Sequence, residues 1–263
     1  MAQKSRGILL LVLVVVLLVV VSSRVAPMRD NIREQPRTTD DPYHEPEPPA
    51  AEAEPEVMPE PEPVLSVRES LPGVSVSDWN LKLVNNDYVL PSSFAPNVTE
   101  VISGQYFDSR AAESLQQMVY DAQEAGYNIY IVNAYRPYST QAYIFFGRAS
   151  QIQWGTDMEM IEAEEKARKV VAYPGTSEHQ LGLAVDIMDS PDTVMDSDTA
   201  GEIPVLKWLT KHCAEYGFIL RYPADKEETT GWNEPWHFRY VGEDCAKYIM
   251  DNGLCLEEFI ALF

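Results

Sequence analysis

The stretch DDPYHEPEPPAAEAEPEVMPEPEPV, residues 40–64, limits where this 263-residue chain can fold. Prolines and acids alternate through it, and it contains no Lys or Arg. Such a segment cannot bury enough apolar surface to offset the entropy of ordering it. Proline stiffens it and like charges extend it, so residues 24–70 are expected to form a disordered spacer in which His44 is simply solvated. Ahead of the spacer, Lys4 and Arg6 precede an apolar run from Ile8 to Val21, which Ser22 and Ser23 end. A basic start followed by a short apolar run reads as an export signal. The run is shorter than the roughly 20 residues of a standard membrane span. Residues 1–23 are therefore expected to act either as a signal anchor in the membrane or as a cleaved signal peptide. Both readings place the remainder outside the cytoplasm and confine the folded domain to residues 71–263.

Charge narrows the partners. The chain carries 41 acidic and 20 basic residues, a net −21, and from residue 66 onward 30 acids still face 14 bases. A domain this acidic is not expected to bind nucleic acid, and nothing in the sequence calls for a second copy, so a monomer is expected. The three cysteines, Cys213, Cys245 and Cys255, include no C-x-x-C pair, which argues against a cysteine-based zinc site. In an exported protein two of them could pair and leave one free. Cys213 follows His212, but neighbours on a helix point about 100° apart, so the pair does not make a thiol nucleophile with its base. Both are expected to be structural.

Periodicity places the elements. Trp79–Pro91 reads as a strand and a turn. Leu115, Met118, Val119 and Ala122 mark an amphipathic helix over 111–125, with Asp108 or Ser109 as its cap and Gly126 past its end. Residues 128–135 form a buried strand, and helices follow over 140–150 and 158–171. GLAVDI (182–187) is a strand, 205–216 a helix stopped by Gly217, and 218–223 and 235–241 are strands. Short helices over 244–251 and 256–263 close the chain. Helices and strands mix without βαβ alternation, which gives an α+β class: a small antiparallel sheet flanked by helices.

The chemistry gathers around two stretches, SEHQLGLAVDI and NEPWHF. In the strand, Leu183, Val185 and Ile187 share one face, while Gly182, Ala184 and Asp186 share the other. The second face is small and leaves room beside Asp186. His179 has the opposite parity, so it can share a partner with Asp186 only if the chain turns at Gln180–Gly182, where glycine permits it. His179, Asp186 and His237 then offer two imidazoles and a carboxylate, a three-ligand set with one position open. Glu234 lies beside the third, free to act on a bound water. From residues alone a second reading stands beside this one: two structural histidines and a paired buried carboxylate. The absence of H-E-x-x-H excludes a helix-based zinc peptidase.

Tyr135-Arg136-Pro137-Tyr138-Ser139-Thr140-Gln141, Ser177-Glu178-His179 through Gly182, Ala184 and Asp186, and Glu234-Pro235-Trp236-His237 come in this order. Together they resemble the VanY-type D-alanyl-D-alanine carboxypeptidases, zinc peptidases of the Hedgehog/DD-peptidase fold, over roughly residues 79–242. Pro137 departs from that pattern, where many members have Ser. The resemblance implies one Zn²⁺ held by His179, Asp186 and His237. It implies Glu234 as general base and Arg136 as a catalytic cation, with Gln141, Ser177, Tyr138 and Trp236 against the substrate. The implied substrate is a peptidoglycan stem peptide that loses its terminal D-Ala. L,D-carboxypeptidase or endopeptidase action on the same polymer, or a zinc-binding wall module without catalysis, are the alternatives.

Overall fold

The computed structural model describes residues 71–102 and 104–263. The expected leader and the expected spacer, residues 1–70, lie outside the described residues. Among the described residues, no helix is long and apolar enough to cross a membrane.

The chain opens with a hairpin, β1 (Val98–Ile102) and β2 (Gln105–Asp108), then helix α1 (Ala112–Glu124) and strand β3 (Tyr130–Asn133). Helices α2 (Tyr138–Gln153) and α3 (Met160–Ala167) pack together before β4 (Ala184–Met188). Two helices, α4 (Ser197–Ala200) and α5 (Pro204–His212), lead to β5 (Phe218–Tyr222). A short α6 (Glu227–Thr230) precedes β6 (Glu234–Tyr240), and α7 (Glu243–Asp251) and α8 (Leu256–Ile260) complete the described elements. The four-stranded sheet has the order β3-β4-β6-β5, antiparallel at every pairing. The architecture is α+β, as expected.

β4 sits inside this sheet and is buried along its whole length. Leu183, Val185 and Ile187 join Phe238, Phe218 and Phe107 in the main core, which α1 and α5 cover through Leu115, Met118, Leu206 and Leu209. Burying each such side chain contributes about 1.5–3 kcal/mol. A second core joins Ile219 and Val241 of the sheet region to Ile249, Leu256 and Phe259 of the C-terminal helices. A third lies between α2 and α3, around Phe145 and Ala163.

Several local expectations are corrected. Trp79–Pro91 forms turns and extended chain, not a strand. Its carbonyls at Asn80 and Lys82 accept from the buried Arg239 guanidinium (3.0 and 2.9 Å) instead of from a neighbouring strand. The β1–β2 hairpin was not anticipated. Helix α1 is capped at Ala111 with no side-chain bond. Asp108 is instead occupied by Arg110, accepting from its backbone N–H (3.0 Å) and from Nε and Nη2 (2.9 and 2.6 Å). The helix over 205–216 tightens to a 3-10 turn at Cys213–Tyr216. All three cysteines are buried and free. Cys213 belongs to the main core and Cys245 to the C-terminal one, so no pair forms. Burial pushes the Cys213 thiol up to about 12. His212 stacks on Trp208, with ring centres 4.7 Å apart, and bonds Glu215, a structural role.

Candidate metal centre and active site

Three elements bring the site together. Pairing of β4 with β6 sets Asp186 directly opposite His237, so both side chains leave the same face of the sheet at the closest cross-strand spacing. His179 arrives from a 3-10 turn, Glu178–Leu181, which ends on Gly182 at φ +72°. That left-handed residue reverses the parity that would otherwise send His179 and Asp186 to opposite faces. His179 Nε2 lies 3.1 Å from Asp186 Oδ2, and His237 Nδ1 lies 3.0 Å from Asp186 Oδ1. One donor atom from each of the three lies within 4.8 Å of the other two.

The small-residue face has a different cause from the one expected. A Cβ on Gly182 would meet Pro96 Cγ at 3.2 Å and the Asp108 backbone nitrogen at 3.3 Å. Glycine is there because the chain leading into β1 and the end of β2 close over it. The space for an ion lies farther along, between the two imidazoles and Asp186.

The electrostatics are those of a cation site. Burial alone would raise the Asp186 carboxyl, but His179 and His237 outweigh it and hold the group well below the usual carboxylate range. Burial disfavours the charged form of His237, yet the bond to Asp186 and the nearby Glu178 and Glu234 carboxylates raise it to about 9. Burial keeps His179 neutral, aided by Arg136 and His237 against the pull of Asp186. A proton on His237 thus takes the charge that a metal ion would bring. The second ring nitrogen of each histidine is directed outward. His179 Nδ1 meets the Ala134 carbonyl oxygen at 2.7 Å, which leaves Nε2 free to ligate. Two imidazole nitrogens and a carboxylate, with one side open, fit a catalytic zinc ion.

A cleft of about 510 Å³ opens over these donors. Glu234 stands on its wall, half-buried, with Oε2 3.5 Å from His237 Nδ1. Burial raises its carboxyl to about 7, with Asp186 and Glu178 adding to the rise and His237 and Arg136 opposing it. Arg136 follows β3, and its backbone N–H donates to the His179 carbonyl (3.1 Å). Its guanidinium contacts Ser177 Oγ at 3.4 Å, and its buried Nε has no partner. Burial lowers the Arg136 pKa, while Asp186 and Glu234 counter this from a distance. It is a half-buried cation facing a cleft with no carboxylate in ion-pair range among the described residues.

Ser177 and Trp236 line the cleft. Gln141 and Tyr138 stand behind its wall. Gln141 is buried and donates from Nε2 to the Ala172 carbonyl (2.6 Å), bracing a lining residue. The Tyr138 ring lies against Gly175. Sequence reasoning missed Glu178, Tyr222 and Met195, which also line the cleft. Glu178 could have been suspected from its place beside His179. Tyr222 and Met195 carry no local signal.

Residues 104–243, just over half of the chain, match the family VanY, D-alanyl-D-alanine carboxypeptidase. The chain is 38% identical over 190 residues to the putative carboxypeptidase YodJ of Bacillus subtilis, covering 68% of this chain and 66% of that protein. A solved variant of the vancomycin-resistance D,D-pentapeptidase VanY in complex with Zn(II) superposes with a TM-score of 0.60 at 37% identity, covering 70% of this chain and 99% of the other. The LdcB LD-carboxypeptidase superposes at 0.57 and 38% identity, covering 68% of this chain and 84% of the other. With the matched segment enclosing His179, Asp186, Glu234 and His237, the chain belongs to the VanY D-alanyl-D-alanine carboxypeptidase family.

Proposed function

We propose that this chain is a zinc-dependent D-alanyl-D-alanine carboxypeptidase that removes the terminal D-Ala from peptidoglycan stem peptides outside the cytoplasm. The observation that carries the reading is Glu234, a carboxylate 3.5 Å from His237 at the open side of the three-donor set. A module that only binds metal has no use for a base there. The likeness to the D,D-pentapeptidase and to its Zn(II) complex supports the substrate and the ion. The apolar run at 8–21 supports export.

His179 through Nε2, His237 through Nδ1 and Asp186 would hold the ion. When bound, zinc lowers the pKa of a water towards about 7 and polarises a carbonyl. Glu234 takes the proton from that water as its oxygen adds to the scissile carbonyl carbon. Glu234, beside the ion's open side, would be held in its ionised form by a bound cation and so be ready to act as the base. Arg136, fixed between Ser177 and the cleft, faces the negative charge that develops on the carbonyl oxygen. As the C–N bond breaks, Glu234 returns the proton to the departing D-Ala amine.

A second reading, L,D-carboxypeptidase, is favoured by the LdcB likeness, at 38% identity against 37% for the D,D-pentapeptidase. Purified zinc-loaded protein incubated with pentapeptide and tetrapeptide stems separates the two. D-Ala release from the pentapeptide alone is expected. Glu234→Gln should abolish release while zinc stays bound. If the wild type releases nothing from either stem, the enzyme reading fails.

A further inference from the structure

Glu178 precedes a metal ligand and is itself completely buried, with no solvent contact from its side chain. Its Oε1 accepts two charged donors, Arg221 Nε and Arg239 Nη1, each at 2.8 Å. Its Oε2 accepts none. That oxygen faces His237 Nε2 across 3.6 Å, and the nitrogen is likewise buried without a partner. Two orphaned polar atoms facing each other at this distance are a hydrogen bond waiting for a small adjustment, since each left alone is costly. Burial would raise the Glu178 carboxyl, but Arg221 and Arg239 outweigh it and hold the group well below the usual carboxylate range.

Glu178 is itself fixed from behind. Arg221 makes a two-pronged contact with Glu257 on α8, Nη1 to Oε2 at 2.8 Å and Nη2 to Oε1 at 2.6 Å. Arg239 is anchored through Nη2 to the carbonyls of Asn80 and Lys82. Two guanidiniums and two carboxylates form a charge-balanced cluster in which Oε1 of Glu178 is saturated and Oε2 is free for one more donor.

We propose that Glu178 is a positioning residue for the metal site: it accepts the Nε2–H of His237, selects the tautomer whose Nδ1 lone pair faces the ion, and passes the rigidity of Arg221, Arg239 and Glu257 to that ligand. The inference rests on the metal-site reading above and deepens it. It links the C-terminal helix α8 to metal affinity, a link that the ligand set itself does not contain. Carboxylate partners to ligating imidazoles orient the ring and raise its basicity, and their loss costs about 10–100-fold in metal affinity.

The test uses the full chain and zinc alone. Competition against a chromophoric chelator measures affinity for wild type, Glu178→Gln and Glu257→Gln. ¹⁵N NMR of histidine-labelled wild type reads which His237 nitrogen carries the proton and which the metal. Zinc affinity should fall about 10–100-fold in Glu178→Gln and by a smaller factor in Glu257→Gln. In the wild type the metal should sit on Nδ1 and the proton on Nε2. Unchanged affinity in a folded Glu178→Gln, or metal on Nε2 of His237, overturns the proposal. If Glu178→Gln does not fold, the Glu257→Gln affinity and the wild-type spectrum decide it in the same terms. None of these readouts requires substrate, so a protein that binds zinc as described but releases no D-Ala would refute the proposed activity and leave this inference standing.

Discussion

Gly182→Ala probes the step on which the metal site depends, the turn that reverses parity between His179 and Asp186. Gly182 sits at φ +72°, a conformation that costs a residue with a Cβ roughly 1–2 kcal/mol. The new Cβ would lie 3.2 Å from Pro96 Cγ and 3.3 Å from the Asp108 nitrogen. The proline ring can shift slightly, but the Asp108 N–H donates to the Gly182 carbonyl at 2.8 Å and cannot retreat without losing that bond. Overpacking of this kind adds about 1–3 kcal/mol. A combined destabilisation of roughly 2–5 kcal/mol follows, with a fall in melting temperature of roughly 4–20 °C for a domain of this size. Gly147→Ala is the internal control. Gly147 lies inside α2 with no atom within 4 Å of its would-be Cβ and no left-handed backbone. Alanine there should stabilise by about 0.5–1 kcal/mol. Urea denaturation of the metal-free protein compares the two, and chelator competition reads whether the altered turn also weakens zinc. A loss under about 0.5 kcal/mol for Gly182→Ala would falsify the account of the turn.

Other outcomes follow from the same geometry. In metal-free protein, His237 is raised from 6.5 to about 9 and Glu234 from 4.5 to about 7. Both raised groups contribute stability that is lost as pH rises through their folded values, so metal-free stability should fall between pH 6.5 and 9, by up to about 3 kcal/mol from His237. Zinc should bind more tightly over that same interval as it displaces the proton, and denaturation midpoints that are flat or rising with pH after chelation would contradict the assignment. Arg136→Lys should lower kcat/KM on a pentapeptide stem by about 10²-fold with zinc affinity within threefold, because the fixed planar cation is lost and the ligands are untouched. The three cysteines should resist a thiol reagent in native protein and all react on unfolding, since burial raises Cys213 to about 12 and Cys245 to about 11.

Much of the site was legible because its chemistry is local. His179, Asp186, Glu234 and His237 stand in two short stretches, and strand parity was enough to demand a turn at Gly182, which the left-handed backbone supplies. Helix periodicity placed α1, α2 and α5 within a few residues. The hairpin over 98–108 was missed because two four- or five-residue strands give little periodicity, and Trp79–Pro91 misled because its apolar alternation serves packing without a ladder. Gln141 matches a substrate contact by motif; its Nε2 donates to the Ala172 carbonyl, and its buried Oε1 has no partner among the described residues.

The sequence by itself determined which residues can ligate and where the chain must turn between His179 and Asp186. These depend on side-chain chemistry and backbone freedom over a few residues. Only the tertiary structure decided the register that sets Asp186 opposite His237, the closure of Pro96 and Asp108 over Gly182, and the burial of Glu178 between Arg221 and Arg239. In the linear chain those three read as ordinary surface charges. Their pairing becomes obligatory only once β5, β6 and the C-terminal helices exclude water from around them, because an unpaired charge is costly only where solvent is absent.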